Sequence, residues 1–226
     1  MKRLRENFSE IKINPETGKN KKYYKQIKFY QCGEYGDDNG RPHYHACIFG
    51  IDFDDKELWK IKNGYRLYTS EKLSKLWKHG YAVIGDVTFE SAAYTARYIM
   101  KKINGNQEPH HYLRINYETG ELFYLQPEYT TMSLGGRQGK GLGQGWYEKY
   151  KDDTYHDDTI IMRGLKMRPP RYYDNMFDID EPDKLNEIKK ERKRHSIKNK
   201  EDNTPERLRV KEKVKQAQLR QLKRNL

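Results

Sequence analysis

The sequence predicts an α+β fold, in which a mostly antiparallel sheet carries helices and is followed by a basic helical tail. Two strand-like runs, 26–35 and 43–51, flank a segment rich in turn-forming residues, which predicts a β-hairpin. Residues 88–102 begin with a threonine suited to capping, which predicts a helix. We expect the compact domain to span residues 1–175 and the tail to span residues 176–226.

The composition favours a protein with a small core and no membrane partner. Of the 226 residues, 35% are charged, 35% are apolar and 19 are tyrosines. No run of about 18 apolar residues predicts a membrane span, and the first residues lack the apolar stretch of a secretory signal. We therefore expect a cytoplasmic protein in which Cys32 and Cys47 are reduced thiols. A cross-strand disulfide between them is the alternative.

The net charge of +12 predicts a polyanionic partner. Residues 184–226 hold 16 lysines and arginines against 6 aspartates and glutamates, a net charge of +10. The tail is therefore the segment most suited to binding phosphates. The same charges are also typical of a helix that is merely solvated.

The first 25 residues predict a helix end and a loop. Leu4 and Phe8 lie four positions apart among basic residues, which predicts the last turns of an amphipathic helix over residues 1–8. Residues 9–25 are polar and contain a Pro-Glu-Thr-Gly turn, so we expect a loop there.

The predicted hairpin carries two histidines on one face. Side chains alternate between the faces of a strand, so His43 and His45 project together. Glu34 shares this face, opposite His43 in one register and opposite His45 in another. Two imidazoles beside a carboxylate form a candidate metal site. A His-x-His pair taken alone is nevertheless more often structural than metal-binding.

The predicted helix 88–102 follows a short helix at 70–79 and a strand at 81–87. At about 100° per residue, one polar side of the longer helix holds two phenols and an ammonium group, those of Tyr94, Tyr98 and Lys101. We expect the opposite side to pack on the sheet. That aliphatic side comprises Ala92, Ala96, Ile99 and Ile103. A tyrosine pair at this spacing usually serves packing in a chain so rich in tyrosine.

The remaining segments are predicted from shorter signals. Residues 121–125 predict part of a hairpin, and the Gly-rich basic run at 133–145 predicts a loop. Residues 159–173 predict a strand and an extended Pro-Pro segment. Residues 184–200 predict an exposed helix or disorder, and residues 204–222 a helix that starts at a capping threonine followed by proline.

Several stretches resemble HUH endonucleases, and more narrowly the replication initiation proteins of microviruses. These are GEYGDDNGRPHYHACIFG at 33–50 and SAAYTARYIMKK at 91–102. KMRPPRYYD at 166–174, together with residues 203–226, is similar to the gokushovirus group. Each motif is short, but the combination is specific and covers residues 27–226.

The resemblance implies an HUH-like sheet with a divalent cation, Mn²⁺ or Mg²⁺. His43 and His45 match the paired metal ligands of the family, and Glu34 matches a third, acidic ligand. Such a metal acts as a Lewis acid on the scissile phosphate and orients it for in-line attack.

The resemblance also implies a tyrosine endonuclease and strand transferase. Tyr94 and Tyr98 match the tyrosine pair of the two-tyrosine enzymes, in which one phenolate forms a 5′-phosphotyrosyl bond and frees a 3′-OH that primes rolling-circle synthesis. The second tyrosine attacks the regenerated origin one round later. Lys101 or Lys102 is expected to stabilise the charge, and the helix angle favours Lys101.

The implied partners are single-stranded or nicked viral origin DNA and the helicase and polymerase of a bacterial host, in whose cytoplasm the protein would act. We expect phosphate contacts from the tail and from four basic side chains elsewhere in the chain. These are Arg41, Arg97, Arg137 and Lys140.

One expected element is missing. Members of this family have a further strand, N-terminal to the histidine strand and adjacent to it in the sheet, and we find no such strand before it. We therefore expect an N-terminally incomplete domain with an exposed sheet edge beside the metal ligands. A truncated, inactive DNA-binding remnant is the second hypothesis. A third is an HUH relaxase or transposase.

Overall fold

The structure is a computed structural model and describes residues 1–36, 39–135 and 139–221. Its internal contacts divide it into two units, Met1–Leu142 and a second unit that begins at Gly143. The α+β class with antiparallel strand pairs is confirmed. The division into domains near residue 175 stays a prediction.

The first unit contains most of the strands. In chain order its elements are α1 (Lys2–Asn7), β1 (Ser9–Ile13), β2 (Asn20–Tyr24), β3 (Lys28–Tyr35), β4 (Pro42–Phe49), β5 (Glu57–Lys62), β6 (Tyr65–Thr69), α2 (Glu71–Leu76), β7 (Ile84–Gly85), α3 (Phe89–Arg97), 3₁₀ turns at Tyr98–Lys101 and Gly105–Gln107, α4 (Glu108–Tyr112), β8 (Leu113–Ile115), β9 (Leu122–Tyr124) and β10 (Tyr129–Met132).

The predicted hairpin is the pair β3 and β4. Its register places Glu34 opposite His43, which is the first of the two registers that the sequence allowed. The backbone N–H of Gly36 donates to the carbonyl of Arg41 at 2.9 Å, which closes the hairpin below a tip whose residues 37–38 lie outside the described part.

The sheet around this hairpin has three strands in the order β10-β3-β4. The addition of β10 to β3 was not predicted. β4 is an edge strand, and in the described ranges no strand pairs with its outer side. The expectation that the domain is incomplete at this edge stays a prediction.

The core of the first unit is small, as the composition predicted. It is centred on Leu4, Ile27 and Phe53, so the predicted end helix, now α1, contributes directly to it. Partly buried side chains that pack around this centre are Met1, Phe8, Ile48, Ile51, Leu73, Leu76 and Ile84.

Three local predictions are corrected. Residues 9–25 form the hairpin of β1 and β2 rather than a loop. None of their side chains is buried. Glu10, Ile11, Lys12 and Ile13 of β1 do alternate between polar and apolar residues, but both isoleucines are exposed, and β2 shows no such alternation. The helix expected at 70–79 ends at Leu76, because Trp77 adopts an extended backbone. The strand expected at 81–87 is reduced to Ile84–Gly85.

The helix predicted at 88–102 starts where expected. Thr88 and Ser91 form a capping box, in which each side chain accepts from the other residue's backbone N–H. The α-helix ends at Arg97 and continues as the 3₁₀ turn to Lys101.

The face of α3 that packs on the sheet was predicted wrongly. Ile99, from the aliphatic side, is 40% exposed, whereas Thr95 and Tyr98 are 4% and 8% exposed. The polar side faces the hairpin because its hydroxyls and its lysine form hydrogen bonds and an ion pair there. The aliphatic side chains cannot form such bonds.

The second unit is mainly helical. Its elements are α5 (Gln144–His156), β11 (Ile160–Met162), β12 (Leu165–Met167), α6 (Arg171–Asp180), α7 (Pro182–Lys198), a 3₁₀ turn at Lys200–Asn203 and α8 (Pro205–Gln221). Among the described helices, none has both the length and the apolar character that a membrane span requires.

A core in this unit joins α5, α6 and α7. It contains Tyr147, Tyr155, Phe177 and Leu185, and the rings of Tyr155 and Phe177 stack with centroids 3.8 Å apart. The segment 184–200, which predicted an exposed helix or disorder, is thus a helix that buries Leu185. By contrast, α8 buries none of its residues.

We expect Thr88→Ala to destabilise the first unit, since it removes an N-cap and leaves helical N–H groups without an acceptor. The expected loss is about 1 kcal/mol of the free energy of unfolding. Urea unfolding of the full chain, with hydrogen exchange of the segment 89–101, measures it.

Thr204→Ala is the matched control for this substitution. It removes the threonine at the start of the exposed helix α8, and should leave exchange in the segment 89–101 unchanged. Equal exchange rates in T88A and the parent would show that the cap does not stabilise α3.

Candidate active site

The side chain of Glu34 is the centre of a polar cluster in the first unit. It projects from β3 and is 4% exposed. Its Oε1 lies 3.3 Å from Nε2 of His45 and 3.9 Å from Nδ1 of His43, while Oε2 pairs with the ammonium of Lys101. A buried carboxylate without such partners would be strongly destabilising. The cluster therefore joins both hairpin strands to the turn that follows α3.

The two histidines differ in their surroundings. The side chain of His45 is 21% exposed, and burial lowers its pKa although the hydrogen bond with Glu34 acts in the opposite direction. A lowered pKa keeps this imidazole neutral at pH 7, so it retains the lone pair that a metal ligand needs. The side chain of His43 is 55% exposed.

Gly36 makes room for the ring of His43. A Cβ at Gly36 would lie 2.8 Å from Cε1 of His43, closer than non-bonded carbon atoms approach. A glycine at this position therefore lets the imidazole lie over the end of β3. The sequence predicted a turn there but did not indicate this contact.

The two tyrosines meet at the histidine face. The ring of Tyr98 stacks on that of His45, with centroids 4.4 Å apart and planes 14° apart, and the Tyr94 ring approaches at 6.0 Å. The Tyr98 hydroxyl donates a hydrogen bond to the Tyr94 hydroxyl. Burial, and then this bond, raise the pKa of Tyr98 far above its usual value. Tyr94 is only half-buried.

Lys101 reaches the cluster from the 3₁₀ turn. Besides its pair with Glu34, its Nζ lies 5.1 Å from the ring centroid of Tyr98. Lys102 ends the turn with an extended backbone and, in the part of the chain that the structure describes, contacts none of the cluster side chains. The geometry thus agrees with the preference for Lys101 that the helix angle indicated.

Two buried contacts that the sequence did not indicate hold α3 and its turn in place. The thiol of Cys32 donates to the carbonyl of Thr95 at 3.4 Å, which fastens α3 to β3. The Tyr112 hydroxyl donates to the buried Glu128 and accepts from the backbone N–H of Ile103 at 3.1 Å, just after the lysine turn. A single cysteine in β3 and a single tyrosine in α4 carry no sequence pattern that predicts such bonds.

Both cysteines are free, buried thiols, as the reduced alternative predicted. Burial raises the pKa of Cys32 to about 11, with a further contribution from nearby Glu34. At neutral pH this thiol is protonated and unreactive, which excludes it as a nucleophile in the cluster.

The basic side chains expected to bind DNA lie in different places. The guanidinium carbon of Arg97 is 5.7 Å from the Tyr94 ring centroid, so this residue borders the cluster. Arg41 is exposed at the hairpin turn, and Lys140 is exposed in the loop after β10. Arg137 lies outside the described residues.

The cluster contains the donors of a hard-cation site. Two imidazole nitrogens and one carboxylate suit Mn²⁺ or Mg²⁺, and both nitrogens lie within 3.9 Å of the same carboxylate oxygen. Yet among the described residues no three His, Cys, Asp or Glu side chains are already arranged as a metal-binding group. Glu34 is instead engaged by Lys101 and His45. The donor chemistry fits, and metal binding stays a prediction.

Comparison with known proteins gives consistent results. Residues 1–103 match the family model of the replication-associated protein ORF2. The chain is 33% identical over 187 residues to replication-associated protein VP4 of Bdellovibrio phage phiMH2K, covering 81% of this chain and 51% of the relative. It is 31% identical over 175 residues to replication-associated protein ORF2 of Spiroplasma virus 4, covering 74% and 49%.

A further relative is replication-associated protein ORF4 of Chlamydia phage 1, 39% identical over 165 residues that cover 69% of this chain and 36% of the relative. The chain thus spans about half the length, or less, of these relatives. No solved structure matches it. The resemblance found from the sequence motifs is confirmed at the level of the family: the chain is similar to replication-associated proteins of phages over most of its length.

Proposed function

We propose that the chain is a metal-dependent, sequence-specific DNA nickase and strand transferase that initiates rolling-circle replication of a single-stranded DNA virus. The observation that carries the proposal is the contact between a pair of tyrosines and a candidate metal site. The hydroxyl pair of Tyr94 and Tyr98 lies against an imidazole and carboxylate cluster that contains the donors of a divalent cation. The names of the relatives support a role in replication rather than in mobilisation or transposition.

In the proposed reaction, Tyr94 attacks first. Its oxygen accepts the hydrogen bond of Tyr98, and it is the less buried of the two phenols, so DNA can approach it. Attack on a backbone phosphorus forms a 5′-phosphotyrosyl bond and breaks the P–O3′ bond, which frees a 3′-OH as a primer. The raised pKa of Tyr98 makes it the poorer nucleophile in this state.

Tyr98 serves the first step by its hydrogen bond and the second by its own attack. In the first step it holds the Tyr94 oxygen while its ring rests on His45. Once Tyr94 carries DNA, the hydroxyl pair is broken and one cause of the raised pKa of Tyr98 disappears. Tyr98 then attacks the regenerated origin and frees a new 3′-OH. That 3′-OH attacks the phosphotyrosyl bond of Tyr94, which re-forms a phosphodiester, releases a circle and returns the Tyr94 phenol.

The metal would be held by His43, His45 and Glu34, and it would supply Lewis-acid stabilisation of the scissile phosphate. In the present arrangement the ammonium of Lys101 neutralises Glu34. With a cation bound at that carboxylate, the ammonium of Lys101, which lies beside the Tyr98 ring, would stabilise a phenolate or a phosphate oxygen.

The proposed substrate is single-stranded or nicked viral origin DNA, with host helicase and polymerase acting after the nick in the host cytoplasm. Arg97 borders the attacking phenol and is suited to the adjacent phosphate. Arg41, Arg137, Lys140 and the tail are proposed as further phosphate contacts.

A second candidate is a protein that binds DNA without cutting it. The edge strand β4 supports it, because the strand that carries His43 and His45 has no neighbour on its outer side within the described ranges. A strand supported on one side is less rigid, and nicking needs exact positioning. An assay for the covalent adduct separates this candidate from the nickase.

We expect Tyr94→Phe to abolish the covalent DNA adduct, since it removes the attacking oxygen. Tyr98→Phe should keep the first adduct but form it about fivefold more slowly, because one hydrogen bond of about 1 kcal/mol is lost. Denaturing gels of the chain incubated with Mn²⁺ and labelled oligonucleotides that tile the viral replicon measure the adduct.

The double variant Y94F/Y98F, which lacks both candidate nucleophiles, is the negative control for this assay. An adduct that persists in it would refute the nucleophile assignment. An adduct lost in Y98F but kept in Y94F would reverse the order of attack. No adduct with any oligonucleotide, despite binding, would favour the second candidate.

For the metal, we expect His43→Ala with His45→Ala to abolish Mn²⁺ binding in calorimetry without DNA. Lys101→Met should tighten Mn²⁺ binding about tenfold, because the cation no longer competes with an ammonium for Glu34. The same variant should form the adduct more slowly.

Lys102→Met is the matched control, since this lysine contacts none of the cluster residues in the described part of the chain. Equal Mn²⁺ affinity in K101M, K102M and the parent would exclude competition at Glu34. Unchanged Mn²⁺ binding in the histidine variant would refute the metal site itself.

We expect Gly36→Ala to weaken Mn²⁺ binding about tenfold, as substitutions that displace a metal ligand do. The new methyl group would push the ring of His43 from its position. Gly145→Ala is the control, because a Cβ there meets no atom within 4 Å. If G36A binds Mn²⁺ like the parent, the position of His43 does not matter to the site.

A further inference from the structure

The second unit has a basic groove that takes no part in the proposed chemistry. We call its exposed cations, Arg168, Arg171 and Lys189, the wall, and its half-buried side chains, Arg192 and Asp174, the base. The exposed carboxylate of Asp178 also lines it. The groove lies at the RPPR segment that begins α6 and along α7. It brings cations from two elements together around one concavity in the described part of this unit.

The base of the groove is held together by ion pairs of Arg192. Arg192 donates to Asp158 at 2.8 Å and to Asp174 at 2.6 Å. Burial alone would raise the pKa of Asp174, but the hydrogen bonds from Arg192 and Tyr155 hold it below its usual value. This carboxylate is therefore ionised. Arg192, Asp158 and Asp174 together carry one net negative charge, which is outweighed by the two positive charges of the exposed Arg168 and Arg171.

The cations of the wall are available for a ligand. Arg168 and Arg171 are exposed, and neither has an ion pair or a hydrogen bond from its side chain within the described ranges. Two prolines separate them and restrict the backbone between them, so little conformational entropy is lost when both bind one ligand. Lys189 is held only by an exposed pair with Asp178 at 3.4 Å, which an added anion can displace.

We propose that this groove binds the phosphodiester backbone of a DNA strand through Arg168, Arg171 and Lys189. Guanidinium groups bind phosphate oxygens with two parallel hydrogen bonds, and a groove open to solvent admits a continuous strand. None of its described wall residues is aromatic, so the contact recognises phosphates and not bases. The inference rests on the proposed function only in that DNA is the ligand.

The groove differs from the rest of the basic carboxyl end. Along α8 the arginines and lysines lie on a helix that buries nothing, and Arg207 and Lys211 are paired with Asp202. A helix without a concavity attracts polyanions diffusely, whereas the groove holds neighbouring phosphates in fixed positions. Removal of groove charges should therefore cost more affinity than removal of the same number of charges elsewhere.

The test is fluorescence anisotropy of the full chain with a labelled poly-dT strand of about 20 nucleotides, in EDTA so that no cleavage occurs. Arg168→Ala with Arg171→Ala should weaken binding about tenfold and reduce the slope of log Kd against log salt by about 1.4, or about 0.7 for each lost phosphate contact. Arg168→Lys with Arg171→Lys keeps the charge and should recover most of the slope.

Lys190→Ala with Lys193→Ala is the matched control, since it removes two exposed charges of α7 that do not line the groove. An equal loss of affinity and slope in the two alanine pairs would overturn the groove in favour of diffuse attraction. An unchanged slope in R168A/R171A would overturn it outright. Thermal melting curves identify any variant that is unfolded. If R168A/R171A is unfolded, the salt dependence of R168K/R171K, compared with that of the parent, tests the proposal instead.

The result is independent of the nicking proposal. Adducts that form normally while the groove variant binds like the parent would refute the groove alone. A groove-dependent slope with no adduct under any condition would refute the nickase and leave the groove in place.

Discussion

The ion pair between Glu34 and Lys101 is the contact on which the architecture of the first unit depends. A carboxylate that is 4% exposed requires charged or hydrogen-bonding partners, and the sheet supplies only imidazoles. The ammonium must come from another element, so the turn after α3 has to lie over the hairpin. Once it does, Tyr98 is brought onto the His45 ring. One buried charge therefore orients the helix that carries both phenols.

That orientation has an energetic consequence on the other side of α3. Two of the aliphatic side chains that helical spacing assigns to a core, Ala96 and Ile99, are exposed. Burial of these groups would have contributed on the order of 1–2 kcal/mol each. The capping box at Thr88, the thiol contact of Cys32 and the Tyr112–Glu128 pair hold the helix instead. Polar contacts to one face thus outweigh the hydrophobic preference of the other.

The second unit also combines aromatic side chains with an internal ion pair, but here the aromatic rings form a core between helices. It has a core of aromatic rings and one leucine, and Arg192 links Asp158 to Asp174 beside it. These two acids pair with the internal arginine, whereas the arginines of the RPPR segment are exposed and have no side-chain ion pair within the described ranges. Some basic side chains of the carboxyl end therefore form internal ion pairs, and others are exposed and can bind a ligand. The net charge alone does not distinguish these two groups.

The order of residues along the chain was enough to predict the hairpin, its histidine face, the capped helix, the tyrosine spacing and the family, because each depends on neighbours a few residues apart. It left the register open between two choices, and it assigned the wrong face of α3 to the sheet. It also missed the strands β1, β2, β5, β6 and β10 and the helix α5. The register, the buried face and the pairing of β10 depend on partners distant in the chain, such as Lys101 for Glu34 and β10 for β3. Contacts in three dimensions settled them, because the free energy of a buried charge or of a strand edge is set by what lies across it in space.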